Sequence, residues 1–129
     1  MKAEILALCD FAVDYAGKLT IVGVFDELNA PEAPAMHRAW SIAIRLRFEK
    51  SEEGQKALRV SIDDAAGALV MPNLDERLDV VVPKSSSSVA VQLILNIGRL
   101  TFSHFGDYQV HVDVDGTRLG STPLFVRQG

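Results

Sequence analysis

The stretch WSIAIRLRFE at residues 40–49 carries an apolar side chain at every second position, from Trp40 to Phe48. The positions between them are mostly polar and include Arg45 and Arg47. Successive side chains of a β-strand point to opposite faces of its sheet, so this period of two predicts a half-buried strand. Its apolar face needs a second layer to cover it, which favours two packed sheets.

The same alternation recurs at residues 57–63, after a polar turn that contains Gly54. Two alternating segments joined by such a turn predict a hairpin between residues 40–49 and residues 57–63. A third alternating segment spans residues 89–97, and there Ile94 makes the opposite face partly apolar as well. This pattern predicts a central strand that is covered on both sides.

The last alternating segment, residues 108–114, is followed by Asp115-Gly116. Asp-Gly between alternating strands predicts a type I′ hairpin turn, because both turn residues need positive φ. In the strand that follows, the apolar parity shifts after Gly120, which predicts a β-bulge at Gly120-Ser121. The final strand is expected to run to Val126.

The remaining segments also favour strands over helices. Residues 5–11 and 18–25 read as two strands joined by a turn, and residues 68–71 as a short strand. Residues 72–88 read as a long connection between sheets, with residues 78–82 as a short edge strand within it. No window of helical length keeps a 3.6-residue period. The chain is therefore expected to be all-β.

Gly106-Asp107-Tyr108 opens the strand before the final hairpin, which is the place of the tyrosine corner in immunoglobulin-like sandwiches. A chain that crosses between sheets leaves backbone groups unpaired, and the Tyr108 hydroxyl is expected to satisfy one of them. The sequence thus predicts an antiparallel immunoglobulin-like β-sandwich of seven to eight strands, formed as a single domain by residues 1–129.

Composition narrows the function classes. The 129 residues have a formal net charge of −4, which gives no electrostatic attraction to nucleic acid or to an anionic membrane. Cys9 is the one cysteine, so an internal disulfide and a cysteine-based zinc cluster are excluded and a reducing, cytoplasmic location is expected. Glu4 and Asp10 interrupt the first apolar segment, which argues against a signal peptide.

The chain also resembles a family of small, functionally uncharacterised bacterial and phage-encoded proteins. The resemblance rests on Cys9-Asp10-Phe11-Ala12, on residues 17–26, and on Phe105-Gly106-Asp107-Tyr108 with the segments up to Val126. It implies a β-sandwich and no known activity, so it supports the fold and leaves function open.

His111 and Asp113 project from the same face of one strand and are a candidate ligand or acid–base pair. Alternating polar residues are also what a solvated strand face requires, and that interpretation is favoured. Acidic residues near turns are candidate calcium ligands, although aspartates at turns more often accept backbone hydrogen bonds. These residues are Asp63, Asp64, Asp75, Glu76, Asp79, Asp113 and Asp115.

Nucleophilic catalysis has little support in the sequence. Cys9 is distant in sequence from the three histidines His37, His104 and His111, and a buried, unreactive thiol is expected. The serine run at residues 85–88 lacks a Gly-x-Ser-x-Gly context. No catalytic, cofactor or metal residues are therefore assigned.

Two further groups are candidate binding surfaces. Residues 102–105 with Trp40 would form an aromatic patch if they were exposed, although core packing is favoured. Arg45 and Arg47 would bind a carboxylate-bearing partner. The expected function is a non-catalytic interaction or structural module, through an unknown protein partner or self-association across an apolar face such as that of Ile94. A small-ligand or carbohydrate-binding sandwich is the alternative, and an enzyme is third.

Overall fold

The computed structural model describes residues 1–37 and 39–129, without the side chain of His37. Within these residues there is no α-helix, and the all-β prediction is confirmed. A 3₁₀ turn at Lys50–Glu52 joins β5 to β6. The described residues form eleven strands, where seven to eight were predicted: β1 (Lys2–Tyr15), β2 (Lys18–Phe25), β3 (Glu27–Ala30), β4 (Ala35–His37), β5 (Trp40–Glu49), β6 (Gly54–Asp64), β7 (Leu74–Val80), β8 (Ser88–Ile97), β9 (Leu100–Phe102), β10 (Gly106–Val114) and β11 (Thr117–Gln128).

The strands form two large sheets and one small one. The four-stranded sheet has the order β2-β1-β5-β8, the five-stranded sheet the order β3-β11-β10-β6-β7, and β4 pairs with β9. One pair, β3 with β11, is parallel, so the prediction of a purely antiparallel fold is wrong there. The reason is that the chain leaves β2 at Asp26 and crosses directly to the other sheet, where the Asp26 carbonyl accepts from the Phe125 amide at 2.7 Å.

One apolar core lies between the two large sheets. It contains the alternating side chains of β5 from one sheet and those of β6 and β10 from the other. Alternation therefore correctly predicts the side chains of the inner face, but Ser41 and Ala43 on the outer face of β5 are buried as well. The residues with an exposed fraction of zero include Ile42, Ile44, Leu46, Phe48, Val60, Ile62, Val110, Val112 and Val114.

The predicted hairpin between residues 40–49 and 57–63 is wrong. β5 pairs with β1 and β8, whereas β6 pairs with β10 and β7 in the other sheet. The 3₁₀ turn carries the chain across the core instead of reversing it within one sheet. Alternation indicates which face of a strand is apolar, but not which strand lies beside it.

The prediction of a central strand at residues 89–97 is also wrong, because β8 is an edge strand. Its second apolar face is nevertheless partly covered, with Ile94 packed on Cys9, Ala12 and Ala43. The cover comes from the β1–β2 hairpin, which folds over the outer face of its own sheet. At its turn the Gly17 carbonyl accepts a hydrogen bond from Gln92 on β8 at 3.3 Å.

Local predictions near the C-terminus are closer to the structure. Asp115 and Gly116 have φ of 49° and 79°, as a type I′ turn needs. The bulge lies at Leu119, one residue before the predicted position, because Gly120 pairs with Val112 and Arg118 with Asp113. The expected strand at residues 68–71 is reduced to a single bridge between Leu69 and Asp63.

The connection predicted at residues 72–88 contains a longer strand than expected. β7 spans Leu74–Val80, where a short edge strand was placed at residues 78–82. It is an edge strand, as predicted. Residues 81–87 then cross from the five-stranded to the four-stranded sheet.

Candidate functional site

The β1–β2 hairpin leaves an apolar face open to solvent. Phe11 pairs with Val22 and Val13 with Thr20, so their side chains share the face that points away from the sheet. Ala12, on the opposite face, is buried. We call the exposed side chains the hairpin patch, and they are Phe11 (55% exposed), Val13 (39%), Tyr15 (71%), Val22 (53%) and Val24 (66%).

The hairpin patch is apolar because both faces of this hairpin are apolar, and the sheet can cover only one of them. Cys9, Ala12 and Ala43 form a small buried cluster beneath the hairpin, with Leu19 and Ile21 packed against it. The sequence shows apolar residues on both faces of the first two strands, and this pattern is the signal from which an exposed apolar face could have been predicted. It does not indicate which face stays exposed.

A second arrangement lies on the outer face of the five-stranded sheet, around His111. His111 is 8% exposed, with Nδ1 2.6 Å from Oγ of Ser121 and Nε2 3.1 Å from Oδ1 of Asp63. Cross-strand register places these residues together, since His111 lies opposite Ser121 on β11 and diagonal to Asp63 on β6. The predicted pairing with Asp113 does not occur, because that carboxylate binds Arg118 at 3.0 Å.

The Asp63 carboxylate can only accept a hydrogen bond, so in a neutral imidazole the proton lies on Nε2. Nδ1 of His111 then accepts from the Ser121 hydroxyl. This arrangement satisfies both nitrogens of a buried ring, which is sufficient reason for the network to exist. Ser121, His111 and Asp63 are also the residue types of a serine nucleophile, its base and the carboxylate that orients the base. None of the three lines the groove described below.

The acidic residues near turns serve the backbone and arginines. Oδ1 of Asp64 accepts from the amides of Ala66 and Ala68, both at 2.9 Å, and Asp115 accepts from the Ala57 amide at 2.8 Å. Asp75 binds Arg59 at 2.7 Å, while Glu76 and Asp79 are exposed on β7. Among the described residues, no three His, Cys, Asp or Glu side chains are grouped so that they could hold a metal ion.

Cys9 is fully buried, and its Sγ lies 3.6 Å from the Ser41 carbonyl oxygen. Burial raises the pKa of the Cys9 thiol, which keeps it protonated and unreactive. The expectation of a buried thiol is confirmed. Among the histidines named with it, the side chain of His37 lies outside the described part of the chain. In the serine run, Ser85, Ser86 and Ser87 are exposed, and Ser88 begins β8.

Arg45 and Arg47 bind an internal carboxylate. Both contact Glu4 on β1, at 2.9 Å and 3.1 Å, and Arg45 also binds Gln92. Hydrogen bonds from Arg47 and Arg45 hold the pKa of the Glu4 carboxyl below its usual value. The two guanidinium groups are therefore already occupied, which weakens their proposed role in binding a partner.

Tyr108 makes the predicted corner contact, and its hydroxyl donates to the His104 carbonyl at 2.6 Å. Burial raises the pKa of the Tyr108 phenol. Phe102 packs edge-on against this ring, with 4.9 Å between centroids, and Trp40 is 1% exposed. The aromatic residues near the corner are thus core residues, as favoured, and do not form an exposed aromatic patch.

An open groove of about 1050 Å³ lies between β6, β7 and the β10–β11 turn. Many of its side chains are charged, and they pair with one another, as Arg59 does with Asp75 and Lys56 with Asp115 at 3.8 Å. An apolar gap beside Leu28 and Phe102 holds only about 10 Å³. Ligand pockets are usually apolar cavities of ~300–1,000 Å³, and neither space has that character.

Comparisons with known proteins support the fold and give no activity. The sequence profile of a family of unknown function, DUF6941, matches residues 4–127. A comparison with curated proteins found no match. A solved structure of Pseudomonas fluorescens alkylpurine DNA glycosylase AlkC, bound to DNA containing an abasic site analog, is similar with a TM-score of 0.55 at 15% identity. The likeness covers 98% of this chain and 30% of that one.

Proposed function

Since the chain belongs to DUF6941, a family of unknown function, its relatives supply no activity, and we propose that it is a non-catalytic protein-interaction domain with an immunoglobulin-like sandwich fold. One core between two sheets and the Tyr108 corner contact support that fold. The hairpin patch supports the interaction function, and it is the single observation on which this proposal depends.

The patch is larger than scattered surface apolar residues require. Its exposed side chains present on the order of 500 Å² of apolar surface. This is near the upper end of the range for the largest exposed apolar patch on a typical monomer. The face beneath the hairpin already packs on the sheet, so these side chains are not needed for the core. Apolar surface of this size, carried by aromatic and β-branched residues, is typical of a docking surface.

The other function classes have less support. The groove is charged and internally paired, which disfavours an apolar ligand or a ring-stacked sugar. A net charge of −4 disfavours nucleic acid, although the similar solved structure is a DNA-bound glycosylase. The described residues include no helix long and apolar enough to cross a membrane. The buried thiol of Cys9 fits the reducing cytoplasm.

A photo-crosslinking comparison tests the interaction surface. A benzophenone amino acid replaces Val24 in one variant and Val81 in another, because both side chains are 66% exposed but Val81 lies outside the hairpin. After irradiation in the cells that produce the protein, we expect a discrete protein adduct from position 24 and none from position 81. Val22→Glu should remove that adduct. Equal adducts from both positions, or none from position 24, would contradict the proposal.

A further inference from the structure

We propose that the hairpin patch binds a second copy of this chain, with the two patches packed face to face and the two β2 strands antiparallel about a two-fold axis at Val22. The inference rests on the proposed function and names its partner. Two-fold dimers use the same surface on both subunits, so the surface must be complementary to itself. Three features of β2 meet that condition.

The position of β2 leaves room for a neighbouring strand. It is the terminal strand of the four-stranded sheet, and within the described chain it pairs with β1 alone. An unpaired sheet edge is a template for another strand. Gly23 has φ of 72° and so interrupts a regular ladder. A backbone ladder between the two β2 edges is therefore disfavoured, and the two copies pack through the side chains of their hairpin patches.

The charges are complementary in one particular register. With the axis at Val22, Lys18 of one copy lies opposite Asp26 of the other, and the same pair forms again at the far end. Between them, Thr20 lies opposite Val24, and Val22 lies opposite its own counterpart. Lys18 and Asp26 are exposed, and neither forms a salt bridge within the described chain. No like charges face each other across the axis.

The exposed apolar area of the hairpin patch also agrees with a dimer interface. A stable interface buries about 800 Å² on each partner, and in homodimers about 65% of that is apolar. The hairpin patch provides on the order of 500 Å² of apolar surface per copy, which is close to this requirement. The polar remainder would come from Lys18, Thr20 and Asp26 at the rim.

Charge reversal tests both the partner and the register. Lys18→Asp and Asp26→Lys are measured singly and together by sedimentation equilibrium from about 1 to 200 µM, beside Val81→Glu as a control outside the hairpin. The wild-type chain is expected to reach twice its mass of 14.1 kDa. Each single reversal should raise the dimer Kd at least about tenfold through like charges at both ends. The double variant should restore the Kd to within about threefold of wild type.

The results separate this inference from the proposed function. A chain that stays monomeric throughout, yet gives an adduct to a different protein from position 24, overturns the second copy as partner and leaves the interaction domain standing. A monomer without any adduct overturns both. A dimer whose Kd is unchanged by either single reversal, or not restored in the double variant, overturns the β2 interface. All substituted positions are exposed, and thermal unfolding curves that match at a protein concentration where the wild-type chain is monomeric would verify the folding of each variant.

Discussion

Phe48→Ala is expected to lower the free energy of unfolding by about 3–5 kcal/mol, the usual cost of removing a fully buried aromatic side chain. Phe48 is 0% exposed at the end of β5, within the core between the two large sheets. Its loss removes apolar burial and leaves a cavity that the surrounding strands can fill only in part. Urea denaturation monitored by circular dichroism measures the change.

Phe11→Ala is the matched control, because the same side chain is deleted from the hairpin patch. Phe11 is 55% exposed, so we expect a loss within about 1 kcal/mol. Both variants should be unfolded at one low protein concentration, since association would add to the apparent stability. Equal losses for the two variants would mean that Phe11 belongs to the core and would remove the basis of the interaction proposal.

Tyr108→Phe is expected to lower the free energy of unfolding by about 1–3 kcal/mol, because it leaves the His104 carbonyl without its hydrogen bond. The aromatic ring and its contact with Phe102 are retained. Tyr15→Phe, at a site that is 71% exposed, should change the stability by less than about 0.5 kcal/mol. A loss at Tyr108 as small as that at Tyr15 would contradict the corner as a stabilising contact.

The difference in the free energy of unfolding between wild type and Tyr108→Phe also depends on pH, and the sign of this dependence is defined. Burial raises the pKa of the Tyr108 phenol in the folded protein above its ordinary value of 10.0. The unfolded chain therefore loses its phenolic proton at lower pH, and this contribution to stability falls as the pH rises above about 10. The Tyr108→Phe variant has no phenolic proton and therefore does not lose stability in this way. The difference in the free energy of unfolding between wild type and Tyr108→Phe should thus narrow as the pH rises above about 10, as followed by urea denaturation.

Much of the fold can be predicted from side-chain alternation and turn chemistry. The apolar positions of residues 40–48 are buried as expected, and the Asp115-Gly116 turn has the required positive φ values. Such features are local, because each depends on a strand's own pleat or on two turn residues. Strand neighbours are not local. The error that paired β5 with β6 arose because a polar turn can reverse a chain within a sheet or carry it to the other sheet.

The candidate sites were harder to predict for the same reason. Contact between His111, Asp63 and Ser121 depends on the register of three strands, whereas the sequence shows only that His111 and Asp113 share a face. Exposure of the hairpin patch depends on the hairpin folding over its own sheet. Ile94 shows the consequence, because the apolar face expected to meet a partner is covered by the hairpin, and the open apolar surface lies one layer further out.

We expect this chain to associate through the outer surface of the β1–β2 hairpin. The most direct measurement is amide hydrogen exchange of the purified protein at a low and a high concentration. We expect slower exchange at high concentration for residues 18–22 of β2, with no change in β7, which is an edge strand of the other large sheet. Unchanged exchange in β2 at high concentration, or protection of β7 in its place, would contradict association through the hairpin.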